Sequence, residues 1–278
     1  MNESTVSVNI QKRLGSNQTL ITDTLAVEEP LEIRVGLKTV SITMRTPGHD
    51  RELAAGFLFT EGLIQSFDQI LKIENCGPAL SQAQSQNVVK VELKPEVEID
   101  LKRLERHFYT SSSCGVCGKT SIEALQVKNH YKIASGRNEK GPFVSAELIN
   151  ALPEKARKSQ NVFDRTGGLH ASTLFSAEGQ ELCIREDVGR HNALDKLIGW
   201  ACLENRLPLD EAILFVSGRA SFELIQKAVT AGIRIFAAVG APSSLAVELA
   251  RESNLTLLGF VRDQRFNIYH GDWRIRSS

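Results

Sequence analysis

Three short apolar runs, at 212–216, 233–238 and 255–260, alternate with two stretches whose apolar residues recur every three or four positions. Strand, helix, strand, helix, strand at this spacing commits the segment to parallel strands joined by helical crossovers, because only a crossover returns the chain to the same sheet end. The punctuation agrees. Ser221 stands before the first helix and Gly232 after it, Ser243 or Ser244 opens the second, and Asn254 is available to close it. Two further strand-like runs, at 169–175 and 181–185, precede these. The second half therefore reads as an α/β layered sandwich with a partly parallel sheet.

The first half has a different texture. Leu31 to Val35 and Val40 to Met44 alternate apolar and polar residues, the period of half-buried strands, and Pro47, Gly48, His49 and Asp50 break the second of them. Leu53, Ala54, Phe57 and Leu58 then take helical spacing, and strand character resumes at Val88–Leu93. Asp100 can cap a short helix bearing Leu101, Leu104 and Phe108, which runs into a serine-rich loop around 110–120. The reading is two domains. Residues 1–112 form a smaller α+β unit with a polar N-terminal tail, and 113–278 form the larger α/β unit.

The 278 residues include 33 basic and 33 acidic side chains, so no bulk charge advertises nucleic acid or a membrane surface. An apolar fraction of 42% with no 18-residue apolar run fits a compact chain without membrane spans, and a cytoplasmic location is expected. Any anion site must be local.

Five cysteines, Cys76, Cys114, Cys117, Cys183 and Cys202, are an odd number, and a disulfide framework is not expected. Cys114 and Cys117 stand apart from the rest, three positions from each other in Cys114-Gly-Val-Cys-Gly118. Glycines on this loop allow close approach of a reaction partner, and Lys119 with a helix start near Ser121 favours thiolate. Half of a structural zinc site is the competing reading. It requires about four ligands, and the chain has no second Cys-x-x-Cys. A thioredoxin-type pair would sit between a strand and a helix, whereas this one follows a helix and a serine run.

Three other segments carry candidate chemistry. Glu186 to Lys196 reads EDVGRHNALDK where a strand becomes a helix; Arg190 can bind an anion and His191 can move a proton, while ion pairing among the charges is the structural alternative. Ser217-Gly218-Arg219-Ala220-Ser221 follows a buried strand, where ligands of open α/β sheets collect. Phe260-Val261-Arg262-Asp263-Gln264-Arg265 places two arginines three apart beside an aromatic ring, beyond the last parallel strand. Thr166-Gly-Gly-Leu-His170 adds a histidine before a strand.

CGVCG, EDVGRHNALDK, VSGRASFELIQKA, the terminal GF-x-R-x-x-R stretch and Gly56–Gly62 together resemble the formate dehydrogenase accessory sulfurtransferase family, the FdhD type, over about residues 28–270. The resemblance implies a cytidine-deaminase-like layered core, a smaller N-terminal α+β part and a homodimer. It also implies a sulfur relay. A cysteine desulfurase loads persulfide onto the cysteine loop, which passes sulfur to the bis(molybdopterin guanine dinucleotide) cofactor of molybdenum, or its tungsten analogue, before insertion into the formate dehydrogenase catalytic subunit. Carried over by position, Cys114 and Cys117 are the catalytic pair. Phe260, Val261, Arg262, Asp263, Gln264 and Arg265 match the cofactor-binding segment, and Ser217, Gly218, Arg219 and His191 are further candidates. The cofactor is a bound substrate and no resident metal is expected. The departure is at Asp263–Gln264, where relatives often carry a glycine. Zinc deaminase chemistry is disfavoured, since His-x-Glu is absent and Ser113 precedes the Cys-x-x-Cys. The alternative function is a non-catalytic cofactor chaperone with a structural zinc at the cysteines.

Overall fold

The computed structural model describes residues 4–79, 86–97 and 141–276. The cysteine loop with Cys114 and Cys117, the helix expected after Asp100 and the boundary expected at 112/113 all lie outside the described residues.

In chain order, β1 (Thr5–Leu14) and β2 (Asn17–Ala26) form a hairpin. Next come β3 (Glu29–Val35), β4 (Lys38–Arg45), α1 (Asp50–Thr60), β5 (Ile70–Ala79) and β6 (Gln86–Leu93). The second half carries β7 (Val144–Ser145), α2 (Ala146–Ser159), α3 (Asn161–Thr166), β8 (His170–Ser176), β9 (Glu181–Asp187) and α4 (Arg190–Leu203). It continues with β10 (Ala212–Val216), α5 (Phe222–Thr230), β11 (Ile235–Ala238), α6 (Ser244–Glu252), β12 (Thr256–Arg262), β13 (Arg265–His270) and β14 (Ile275–Arg276). The polar stretch read as a tail is thus a hairpin in continuous register from Thr5↔Ala26 to Leu14↔Asn17, its turn closed by Gly15 at φ 60°.

The larger sheet has the order β13-β12-β11-β10-β8-β9. β10, β11 and β12 are parallel, as the alternation with helices requires, while β8 runs antiparallel to β10 and β9 to β8. Alternate residues of β10 serve opposite layers: Leu214 and Val216 pack with α4 and α5, and Ile213 and Phe215 with Ile149 and Leu152 of α2. This makes three layers. The smaller sheet, β4-β3-β6-β5, covers α1 with Leu31, Ile33, Val89 and Val91.

What joins the halves is the crossing of α1 with α4. A Cβ built on Gly56 would run into the Asp195 carbonyl and stand 2.8 Å from the Gly199 nitrogen; one on Gly199 would run into the Glu52 carbonyl and stand 2.8 Å from the Gly56 nitrogen. The two backbones touch, which only glycine at both positions permits. Ion pairs flank the contact. Arg185 of β9 reaches Glu52 of α1, and Lys227 of α5 donates to Thr60 Oγ1 at 2.8 Å, Glu61 Oε1 at 2.8 Å and Asp195 Oδ2 at 3.0 Å. Burial works against charge on Lys227, yet the Asp195 and Glu61 carboxylates outweigh it and hold the ammonium protonated. One apolar core therefore runs from Leu31 and Ile33 through α1 and α4 to Leu257.

Gly199→Ala is expected to lower the unfolding free energy by about 3 kcal/mol or more, because the clash is with backbone on both sides. Urea denaturation of the purified variant measures it, and a midpoint within experimental scatter of the parent would refute the argument.

Candidate functional site

Parallel strands end where their helices begin, so β10, β11 and β12 deliver their C-terminal ends to one edge of the sheet. The antiparallel β8 starts at that edge, and β9 ends there before α4. Residues far apart in sequence are thereby lined up: His170, Arg190 and His191, 217–221, 239–243 and 259–260.

The row is stitched by backbone. Gly240 donates to the Gly218 carbonyl at 3.0 Å, Phe260 donates to the Gly240 carbonyl at 3.2 Å, and Ser217 donates to the Ala171 carbonyl at 3.0 Å. Side chains at Gly240 or Gly218 would disturb it: a Cβ on Gly240 would stand 3.0 Å from Arg219 Cγ, and one on Gly218 3.4 Å from His170 Nδ1. Ser217 Oγ accepts from the Ala171 nitrogen at 2.9 Å, so its hydroxyl ties β10 to β8. Ser221 occupies the N-cap of α5 but makes no capping bond; its hydroxyl lies 3.4 Å from both His191 Nε2 and Glu223 Oε2. Ser243 does cap α6, accepting from the Ala246 nitrogen.

The charged motif at 186–196 divides in two. Glu186 accepts from the Val162 and Phe163 nitrogens at the start of α3. Asp187 is fully buried and receives Lys196 Nζ at 2.6 Å, the Thr46 nitrogen at 3.1 Å and the Gly189 nitrogen at 2.8 Å. Asn192 donates to the Met44 carbonyl at 2.7 Å, and Asp195 belongs to the Lys227 cluster. Asp187, Asn192, Asp195 and Lys196 lock the halves together. Arg190 and His191 remain at the sheet edge. His191 Nε2 lies 3.0 Å from Glu223 Oε2, and the Arg190 Nε is buried without a hydrogen-bond partner. The hydrogen bond from His191, with help from Arg190, holds the Glu223 carboxyl below the usual carboxylate range despite burial. Burial, and then the charges of Arg190 and His191, push His170 below its ordinary value, while Asp187 opposes them.

The segment 260–265 is the end of β12, a two-residue turn and the start of β13. Phe260 has φ 55°, Asp263 φ 53° and Gln264 φ 57°. Half of the six left-handed non-glycine residues among those described fall between 260 and 264. Phe260 sits in the bulge between Gly259 and Arg262, and Asp263–Gln264 form the kind of hairpin turn that requires positive φ at both central residues. A glycine there would remove that strain, which is the physical content of this chain's departure. Arg262 pairs directly with Arg265 across the turn. Like charges facing each other weaken a ladder unless an anion comes between them. Arg262 also stacks its guanidinium 5.9 Å from the centre of the Phe260 ring, while Val261 points into the core. Gly240 and Glu223 were not singled out in the sequence. The available signal was Gly240 following a buried strand as Gly218 does.

The profile described as the FdhD/NarQ family matches residues 26–276. The chain belongs to the FdhD/NarQ family. A "Sulfur carrier protein FdhD" of Streptomyces avermitilis is 52% identical over 255 residues, covering 91% of this chain and 89% of that one. Another protein of that name, from Picrophilus torridus, is 43% identical over 266 residues, covering 94% and 95%. Among solved structures, a protein described as a formate dehydrogenase accessory protein from Desulfotalea psychrophila superposes with a TM-score of 0.73 over 99% of this chain and 100% of that one. At 21% identity that likeness speaks for the FdhD/NarQ chain's fold alone. No helix among the described residues is long and apolar enough to cross a membrane, and no cluster of three or more His, Cys, Asp or Glu suited to a metal occurs among them.

Because His170 is held below its ordinary pKa of 6.5 in the folded state, the unfolded chain binds more protons as pH falls past that value. Its contribution to stability is present above pH 6.5 and is lost on acidification. His170→Gln should flatten the dependence of unfolding free energy on pH between about 7 and 5. Equal slopes for the two proteins in denaturant titrations would contradict this.

Proposed function

We propose that this protein is a cytoplasmic sulfurtransferase and sulfur carrier. It takes persulfide sulfur from a cysteine desulfurase and passes it to the molybdenum or tungsten bis-guanine-dinucleotide pterin cofactor before that cofactor enters the formate dehydrogenase catalytic subunit. The observation that carries the reading is 52% identity, over about nine-tenths of both chains, to a protein named as a sulfur carrier. We also infer a homodimer, and a core of the cytidine deaminase kind; the order β9-β8-β10-β11-β12 with β8 reversed supports the second of these.

Sulfur chemistry requires an accessible thiolate. Burial pushes the Cys183 thiol up to about 12 and the Cys202 thiol up to about 11, so both stay protonated inside the core. Of the other three cysteines, Cys76 stands alone on β5, while Cys114 and Cys117 form the pair that the family resemblance assigns to sulfur transfer, Cys114 as carrier and Cys117 as its partner. The Cys114 thiolate attacks the terminal sulfur of the desulfurase persulfide; the donor S–S bond breaks, the donor cysteine leaves as thiolate, and Cys114 carries the persulfide. Release as sulfide balances when the Cys117 thiolate attacks the Cys114 sulfur: a Cys114–Cys117 disulfide forms and takes up the oxidising equivalent of the sulfane sulfur. The cofactor's phosphates would meet Arg262, Arg265 and Arg219, with Gly218, Ser217, His191 and the 260–265 backbone shaping the cleft. The facing pair Arg262–Arg265 supports this assignment.

After incubation with a desulfurase and cysteine, intact mass should rise by about 32 Da, reversibly with reductant. Cys114→Ala should abolish both the adduct and sulfur delivery. Full delivery by that variant, or a stoichiometric zinc with no adduct in the parent, would overturn the reading in favour of a zinc-bearing chaperone.

GDP should bind the apoprotein and lose affinity as salt rises, and Arg262→Ala with Arg265→Ala should weaken it about tenfold or more. Calorimetry at two salt concentrations reads the effect. Undetectable binding at low salt, or unchanged affinity in the double variant, would remove the cleft from the proposal.

A further inference from the structure

Glu223 is a misfit in a cleft for phosphates. The sheet edge carries Arg190, His191, Arg219 and, on the hairpin after β12, the facing Arg262 and Arg265. Other carboxylates at that edge are committed: Glu186 accepts from the start of α3, Asp187 holds Lys196, and Asp263 sits on the turn beside Arg262. Glu223 lies in the first turn of α5 with its side chain 61% exposed. One of its oxygens is held, since Oε2 stands 3.0 Å from His191 Nε2 and accepts from the Ser221 hydroxyl at 3.4 Å. The other, Oε1, makes no hydrogen bond with a described residue.

The hydrogen bond from His191, with the nearby charge of Arg190, keeps Glu223 ionised. An ionised carboxylate repels phosphate and can only accept hydrogen bonds, so its partner in a bound ligand is a part that presents N–H groups away from the phosphates. The topology supplies the distance. α5 leaves from β10 and the arginine-bearing turn from β12, two strands apart in the sheet and so about 10 Å. A nucleotide lying across the strand ends, its phosphates at Arg262 and Arg265, brings its base to Glu223. Guanine presents a ring N–H and an exocyclic amine side by side, a pair of donors that fits the two oxygens of one carboxylate. Adenine puts an acceptor nitrogen beside its amine and sets lone pair against lone pair. The pterin of the same cofactor carries the guanine pattern on the same aminopyrimidinone ring.

We propose, on the reading of this cleft as a guanine-nucleotide site, that Glu223 is its specificity-determining residue: a carboxylate held by His191 and Ser221 that reads the paired ring N–H and amine donors of the guanine base. A base without those donors is rejected because the buried side of the carboxylate then loses its water without gaining a partner.

Calorimetry of GDP, inosine diphosphate and xanthosine diphosphate binding to the full-length parent and to Glu223→Gln tests this, with circular dichroism to confirm folding. Inosine diphosphate lacks the amine and should bind the parent about tenfold more weakly than GDP. Glu223→Gln should weaken GDP by about thirtyfold and inosine diphosphate by less. Charge alone predicts the opposite sign, since the variant removes a negative group from beside phosphates. A role confined to orienting His191 predicts equal losses for every nucleotide. Glutamine offers one acceptor and one donor, and xanthine keeps the ring N–H but has a carbonyl where guanine has its amine. Glu223→Gln should therefore bind xanthosine diphosphate more tightly than GDP, a reversal that misfolding cannot produce. GDP that fails to bind the parent removes the cleft itself. GDP bound equally by parent and variant, or all three nucleotides weakened to the same extent, overturns the role of Glu223 and leaves the cleft standing. Hydroxymethylpterin separates the two rings: loss of its binding in Glu223→Gln with GDP unaffected overturns the assignment to guanine in favour of the pterin.

Discussion

The contact of Gly56 with Gly199 is the constraint on which the rest depends. A helix pair normally stands 8–10 Å apart because side chains intervene. Here each backbone fills the space where the other's Cβ would be. That closeness places Glu52 against Arg185 and Asp195 against Lys227, so two buried or half-buried ion pairs form only because the helices touch. It also fixes the start of α4, and with it Arg190 and His191, relative to the sheet edge.

A second layer of ties works at the same junction. Asp187, Asn192 and Lys196 hold the end of β4 and the residue after it through Met44 and Thr46. Arg45 is wholly buried and held by Asp50 and Asn87. Removing one member of such a set leaves an unmatched charge or donor in a dry interior, which costs more than the set contributes over an apolar replacement. The charge concentrated in one stretch of sequence thus has mostly a structural purpose, and the sheet edge keeps only a few members of it.

The second-half strands and helices were legible because burial on both faces of a parallel sheet leaves continuous apolar runs, and crossovers leave amphipathic ones. The N-terminal hairpin was not. Its period-2 pattern is interrupted by Lys12 and Asp23, and its residues are polar enough to read as a tail. Ser221 shows the limit of local rules: its position as N-cap was legible, but its hydroxyl turns to His191 and Glu223, residues whose proximity depends on where α4 lies. The roles of Asp187, Asn192, Asp195 and Lys196 were equally undecidable, since a charge reads the same in sequence whether its partner is a ligand or a buried carbonyl.

By itself the sequence determined the alternation of elements, the direction of the parallel strands, the Cys-x-x-Cys spacing and the arginine-bearing turn, because each rests on spacing within a few residues. Tertiary structure alone decided the order β9-β8-β10-β11-β12-β13, the facing of Arg262 and Arg265, and the row that joins Gly218, Gly240 and Phe260. It also decided that two ordinary-looking helix glycines are the point where the halves meet. A glycine in a helix announces only that a side chain is missing; what occupies its place is set by a segment more than a hundred residues away.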